Sequence, residues 1–310
     1  MLFAPLMFIA SLVPQVEHVA AEYESAPAFQ EHKEWFAAFL KNTDQKEVQK
    51  QTTLSLLQDH FPELWARIKD ADYPFTSVFV GAGSGGMEIP LLKEFAKARG
   101  SAAHFSTYCE DPSLEMKKEF FASINGETES QIAEYSSLPF DDAAYLPPKA
   151  DLALASHVWY FIKDWKGVEK ERNTLAKFAS IISDPSGAGV MTLQSKSGDR
   201  YKLNAFCASL LGKDKEIVAE EITAELQRLG IPFQTMLIES RLDVSSCFDR
   251  GLFNPNEEGK ALLSFLLFTS WDELSEVTQE KMKTHFISLV KTYGKEELVL
   301  RDLHIWIIGT

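Results

Sequence analysis

Between Phe75 and Gln194 the chain alternates short apolar runs with segments whose apolar side chains recur three and four residues apart. The runs predict strands at 75–81, 104–110, 131–135, 151–156 and 187–194, and the periodic segments predict helices at 86–99, 113–124 and 166–182. Repeated strand-helix units imply a parallel, doubly wound α/β sheet, with ligands bound beyond the carboxyl ends of the strands. Upstream, 28–40 presents Phe29, Phe36, Phe39 and Leu40 at helical spacing, and 47–69 presents Leu54, Leu56, Leu57, Phe61, Leu64 and Ile68. Downstream, 200–229 reads as two helices, 233–243 as a strand, 257–268 and 278–293 as helices, and 302–308 as a last strand. The expected organisation is an arm (1–27), a helical cap (28–70), an α/β core (71–199) and a helix-rich tail (200–310) that completes a mostly parallel seven-stranded sheet.

The arm is apolar from Leu2 to Val13 and its first basic residue is Lys33, whereas a secretory signal starts with positive charge. Twelve apolar residues are also too few to span a bilayer, which takes about 20. A packing arm or tail is expected there, with a cleaved targeting segment as the alternative, and no membrane association. The 45 acids against 31 Lys and Arg give a formal charge of −14. Such a surface repels a phosphate backbone, so a nucleic-acid partner is not expected. Cys109, Cys207 and Cys247 lie far apart, which fits neither a disulfide framework nor a zinc spacing, and no metal is expected.

The chemistry concentrates in Ser77-Val78-Phe79-Val80-Gly81-Ala82-Gly83-Ser84-Gly85-Gly86 and Tyr108-Cys109-Glu110-Asp111-Pro112-Ser113. A strand enters a glycine-rich turn, and the next strand stops at a carboxylate pair able to accept hydrogen bonds from a ribose. Gly81, Gly83 and Gly86 satisfy the dinucleotide pattern G-x-G-x-x-G, which expects its acid about 20 residues on. Gly81, Gly83 and Gly85 equally give the G-x-G-x-G turn of S-adenosylmethionine (SAM) methyltransferases. Asp111 follows Gly81 by 30 residues, which favours SAM and leaves a nicotinamide-dependent oxidoreductase as the alternative. A SAM-dependent enzyme is expected in the cytoplasm.

Methyl transfer from a sulfonium is a direct displacement in which the protein's main task is to hold the reactants in line. Its wall candidate is Ala155-Ser156-His157-Val158-Trp159-Tyr160-Phe161-Ile162-Lys163-Asp164, at the end of the fourth strand. This run resembles the pocket-lining segment of the histamine N-methyltransferase family. The tail strengthens the resemblance through Leu242-Asp243-Val244-Ser245-Ser246-Cys247-Phe248 and Asn256-Glu257-Glu258-Gly259-Lys260-Ala261-Leu262-Leu263-Ser264-Phe265. The family's fold is the class I SAM methyltransferase, Rossmann-like, with a helical substrate cap.

Carried over by position, the resemblance implies a backbone contact beneath the cofactor at Gly81, the ribose acid at Asp111 with Glu110 as the alternative, a polar contact near the adenine at Ser136, and Ser156 facing the methionine part. It implies substrate-pocket aromatics at Tyr160, Phe161 and Phe265. Departures are several. His157 stands where the family has a glutamine, Met116 where it has another, Arg301 where it has an asparagine, and Asp44 or Gln45 where it has a glutamate. Two family tryptophans fall in Arg200 to Asn204, where only Tyr201 is aromatic. The resulting expectation is transfer to nitrogen of a small molecule by a monomeric enzyme, with His157, Tyr160 and Phe161 at the reaction centre. If Arg301 faces the pocket, its planar fork favours an acceptor bearing a carboxylate. A catalytically silent SAM-binding homologue that senses SAM or binds a partner is the non-enzyme alternative.

Overall fold

The computed structural model describes residues 27–100, 104–124, 131–162, 165–166, 173–183, 185–292 and 294–309, with side chains from residue 32 onward. The arm reading at 1–26 and the Lys163-Asp164 pair lie outside the described residues. In chain order the elements are α1 (Pro27–Asn42), α2 (Gln45–His60), α3 (Pro62–Lys69), β1 (Phe75–Val80), α4 (Glu88–Arg99), β2 (Phe105–Glu110), α5 (Leu114–Ser123), β3 (Ile132–Ser136), β4 (Leu152–Ser156), α6 (Thr174–Ser180) and β5 (Ala188–Gln194). There follow α7 (Asp199–Leu211), α8 (Ala219–Leu229), β6 (Phe233–Asp243), β7 (Phe248–Asp249), β8 (Leu252–Phe253), α9 (Glu257–Leu267), α10 (Glu276–Leu289), β9 (Lys291–Thr292) and β10 (Glu296–Ile308).

The chain divides into two compact units, one built on 54–190 and 306–309 and the other on 31–53 and 191–305. In the first, strands run in the order β3-β2-β1-β4-β5, and β1 pairs in parallel with β2 on one side and β4 on the other. The strand order therefore reverses at β1, which opens a crevice outside the carboxyl ends of β1 and β4. Every residue of β4 and β5 is buried, as expected of strands covered on both faces. Asp151 fixes the entry to this sheet, accepting from the Thr76 N–H at 2.9 Å and the Tyr73 hydroxyl at 2.9 Å. In the second unit the order is β5-β10-β6, with β9 antiparallel on β10 and β7-β8 a separate ribbon. Its core packs Phe39, Leu203, Leu242, Leu262, Phe286 and Leu300.

The α/β class and the mostly parallel sheet agree with the sequence reading. Four local expectations need correction. The 47–69 helix is two, because Pro62 starts α3 and keeps Phe61 out of the helical conformation (φ −127°, ψ 56°). The 166–182 helix begins at Thr174, where Asn173 caps it by accepting from the N–H groups of Leu175 and Ala176. The last strand begins at Glu296 instead of Asp302, its first residues pairing with the short β9. That added strand makes the sheet eight-stranded instead of seven. Among the described residues no helix is long and apolar enough to cross a membrane, and no His, Cys, Asp and Glu group could hold a metal.

Candidate functional site

Register brings the predicted residues of the first unit to one level. Val80 pairs with Glu110 and Ala155, and Glu110 pairs with Ser136. The Gly81 turn, the Glu110-Asp111 pair, Ser136 and Ser156 thus all lie at the carboxyl ends of adjacent strands.

Backbone geometry decides which glycines the turn requires. Gly81, Gly83 and Gly85 have φ of +63°, +53° and +80°, a region that L side chains avoid. A Cβ on Gly81 would stand 2.3 Å from Val158 Cγ2, and one on Gly85 would stand 2.4 Å from Ile89 Cδ1. A Cβ on Gly86 would meet nothing within 4 Å, so the third glycine of the dinucleotide pattern answers no constraint here. The first residue of α4 is Glu88, buried, with a carboxylate oxygen accepting from the Met87 N–H at 3.1 Å. A carboxylate at a helix N-terminus occupies the electrostatic position a pyrophosphate would take.

Two acids hold the turn from below. Glu110 Oε2 accepts from the Gly81 N–H at 3.2 Å, and Asp111 Oδ2 accepts from the Gly83 N–H at 3.0 Å. Asp111 Oδ1 accepts from the Ser113 N–H at 2.9 Å, and Ser113 caps α5. Glu110 is 2% exposed, and burial, reinforced by the charge of Asp111, pushes its carboxyl up to about 8 against opposing bonds from the Gly81 and Phe140 N–H groups. Asp111 is only half-buried. Sequence reasoning missed Tyr135, whose hydroxyl donates to the Gly83 carbonyl at 2.8 Å, while burial, then the Asp111 charge, keep it protonated. Ser136 Oγ accepts from the Leu138 N–H at 3.1 Å and shapes the loop after β3.

Directly after β4, His157 adopts a left-handed conformation with φ +56°. Its Nδ1 lies 2.9 Å from the Tyr160 hydroxyl, and the Phe161 N–H donates to the Val158 carbonyl to close the turn at 3.0 Å. Trp159 is fully buried, whereas Phe161 is 65% exposed. Of the predicted aromatics, Tyr160 is half-buried and Phe161 is exposed.

The remaining predicted residues belong to the second unit. Asp44 clamps β6 by accepting from the Arg241 N–H at 2.6 Å. Gln45 donates to Asp302 Oδ2 at 2.8 Å, and Gln49, one turn on, donates to the same oxygen at 3.2 Å. Tyr201 is half-buried at the start of α7. Phe265 is stacked on Phe39 with ring centroids 4.4 Å apart and lies 5.0 Å beneath the Arg200 guanidinium. Arg200, buried where the family resemblance implied a tryptophan-bearing stretch, pairs with Glu216 at 3.1 Å. Arg301 does not supply the inward-facing cation. Its Nε donates to Glu239 at 2.6 Å and its terminal nitrogen to the Ser197 carbonyl at 3.1 Å. The buried charge on that stretch of β10 is its neighbour Asp302, which is 2% exposed. Alternation explains the difference: one step along a strand exchanges the two faces.

No family profile matches the chain. It is similar to histamine N-methyltransferase A of Xenopus laevis, 26% identical over 264 residues that cover 76% of this chain and 79% of that protein. It is similar also to histamine N-methyltransferase of Bos taurus, 24% identical over 249 residues, with the same coverage of 76% and 79%. Among solved structures, the plantazolicin methyltransferase bound to a triazolic desmethyl analogue and S-adenosylhomocysteine (SAH) is 15% identical, covering 97% of this chain and 99% of that one with a TM-score of 0.43.

Proposed function

We propose that this chain is a SAM-dependent methyltransferase that acts on a nitrogen of a small molecule. The observation that carries the reading is the turn at Gly81, Gly83 and Gly85, three left-handed residues, with the Gly81 and Gly83 N–H groups donating to the neighbouring acids Glu110 and Asp111 at the strand-order reversal. Two features favour a sulfonium nucleoside over a dinucleotide. Gly86 needs to be no glycine, and the carboxylate of Glu88 stands at the helix N-terminus where a pyrophosphate would need positive potential. The residues fit the cofactor: the turn keeps its backbone free of side chains, half-buried Asp111 serves the ribose hydroxyls, and Glu110 supports the turn from beneath. When bound, SAM supplies an electrophilic methyl group on a positively charged sulfur.

Similarity to histamine N-methyltransferases over most of the chain supports a nitrogen acceptor. Arg301 is engaged by Glu239, so it gives no support to an anionic acceptor.

Thermal melting tests the cofactor. SAM and SAH each raise the melting temperature, by mass action on the folded state, and NAD(H) does not. Asp111→Ala abolishes most of that shift, while the ligand-free chain keeps its fold and melts lower by the loss of the Gly83 and Ser113 bonds. Stabilisation by NAD(H) with no response to SAM refutes the proposal, and a larger effect from Glu110→Ala than from Asp111→Ala reassigns the ribose acid.

A further inference from the structure

At Gly83 both the N–H and the carbonyl bond to side chains. The N–H donates to Asp111 Oδ2 at 3.0 Å, and the carbonyl accepts from the Tyr135 hydroxyl at 2.8 Å. The acid follows β2 and the tyrosine lies on β3, so groups 28 and 52 positions further along the chain meet on one residue of the turn. Such fixing has a physical reason. Glycine adopts left- and right-handed backbone about equally well, so a glycine held at φ +53° depends on bonds from outside the turn.

The two anchors are also joined to each other. Asp111 Oδ1 accepts from the Ser113 N–H at 2.9 Å, and Ser113 caps α5 by accepting from the Met116 N–H at 3.1 Å. On that helix Phe120 and Phe121 set their rings 5.1 and 5.8 Å from the ring of Tyr135, and Lys117 donates to the Tyr135 carbonyl at 2.8 Å. A closed circuit thus runs from Gly83 through Asp111 and α5 to Tyr135 and back to Gly83. Tyr135 is buried, and its burial, with the Asp111 charge, keeps the hydroxyl a donor.

We propose that Tyr135 is a positioning residue for the cofactor: its hydroxyl fixes Gly83 and, through Gly83, the orientation in which Asp111 meets the ribose. This rests on the methyltransferase reading and deepens it. Without the hydroxyl, Gly83 keeps its bond to Asp111 and loses the one on its carbonyl, and its peptide groups are free to turn. The carboxylate of Asp111 then follows a moving partner. Ligand binding has to stop that motion, and the ordering is taken from the affinity. The part of the ligand concerned is the nucleoside, which SAM and SAH share, so the loss is equal for both and independent of the charge on sulfur.

Titration calorimetry with SAM and with SAH, on the full chain and well below its melting temperature, tests the role. Tyr135→Phe keeps the ring against Phe120 and Phe121 and removes only the hydroxyl. It weakens SAM and SAH alike, each about three- to tenfold, the range that one hydrogen bond spans. In the ligand-free variant the Gly83 amide hydrogen exchanges faster than in wild type, because the residue opens more often. A Tyr135→Phe chain that melts lower and still binds both ligands like wild type has lost only structural support, and that result overturns the proposal. So does a loss confined to SAM, or a loss with Gly83 exchange unchanged. Should Tyr135→Phe not fold, Phe121→Ala decides, since removing that partly exposed ring loosens Tyr135 and weakens both ligands by a smaller, equal factor; unchanged binding there overturns the proposal too. A wild-type chain that binds neither SAM nor SAH overturns the methyltransferase reading instead.

Discussion

Glu110→Gln should make the protein more stable in mild alkali and leave it unchanged in mild acid. Glu110 is buried beneath the glycine turn beside Asp111, and burial first, then that neighbouring charge, raise its pKa from 4.5 to about 8. Below about 4.5 the folded and unfolded chains both hold the proton. Between the two values the folded chain keeps a proton that the unfolded chain has released, so stability falls as pH rises. Above about 8 both are ionised and the deficit stays constant. At about 1.36 kcal/mol per pKa unit the full rise corresponds to a ceiling of about 5 kcal/mol. Glutamine keeps an oxygen for the Gly81 and Phe140 N–H groups and has no proton to lose. Urea melts of wild type and Glu110→Gln at pH 4.5 and pH 8.5 isolate this group, because every other titration is common to both. The expected gap is under about 1 kcal/mol in acid and several kcal/mol in favour of Glu110→Gln in alkali. A gap that does not change with pH refutes the argument.

Two further predictions concern β10. Arg301→Asn removes a partly exposed ion pair with Glu239, so it should cost no more than about 1 kcal/mol in a thermal melt and leave the ranking of histamine against carboxylate-bearing imidazoles unchanged. Asp302→Asn takes a buried carboxylate from two amide donors, so it should cost about 1–3 kcal/mol in a thermal melt, more than Arg301→Asn does. A greater loss in Arg301→Asn, with carboxylate-bearing acceptors suffering most, would restore Arg301 as the specificity residue.

The first unit was legible because each of its signals is local. A short apolar run, a glycine turn and a periodic segment specify strand, reversal and helix within about 20 residues, and parallel pairing aligns the strand ends with no further information. Gly81, Glu110, Ser136 and Ser156 therefore fell at one level of the sheet, as their positions in the pattern implied. The errors were also local. Pro62 and Asn173 set helix boundaries, and the charged Glu296-Glu297 start of β10, which pairs with a two-residue strand, gave no apolar signal.

The second unit was less legible because its polar contacts join residues far apart in the chain. Gln45 and Asp302 are separated by 257 positions, and neither apolar periodicity nor a motif announces that an amide on α2 will meet a carboxylate on β10. The buried stripe of α2 in this unit is Gln45, Gln49 and Thr53, residues a hydrophobic pattern assigns to solvent. Position-by-position carry-over meets a related difficulty. It selected Arg301, one residue from Asp302, and in a strand that single step moves a side chain from the buried face to the exposed one. Which of two neighbouring positions is buried is a matter of strand phase, which a motif carried over by position does not specify. The glycine turn carries no such ambiguity, because φ and the space around a missing Cβ distinguish Gly85 from Gly86 on backbone grounds alone.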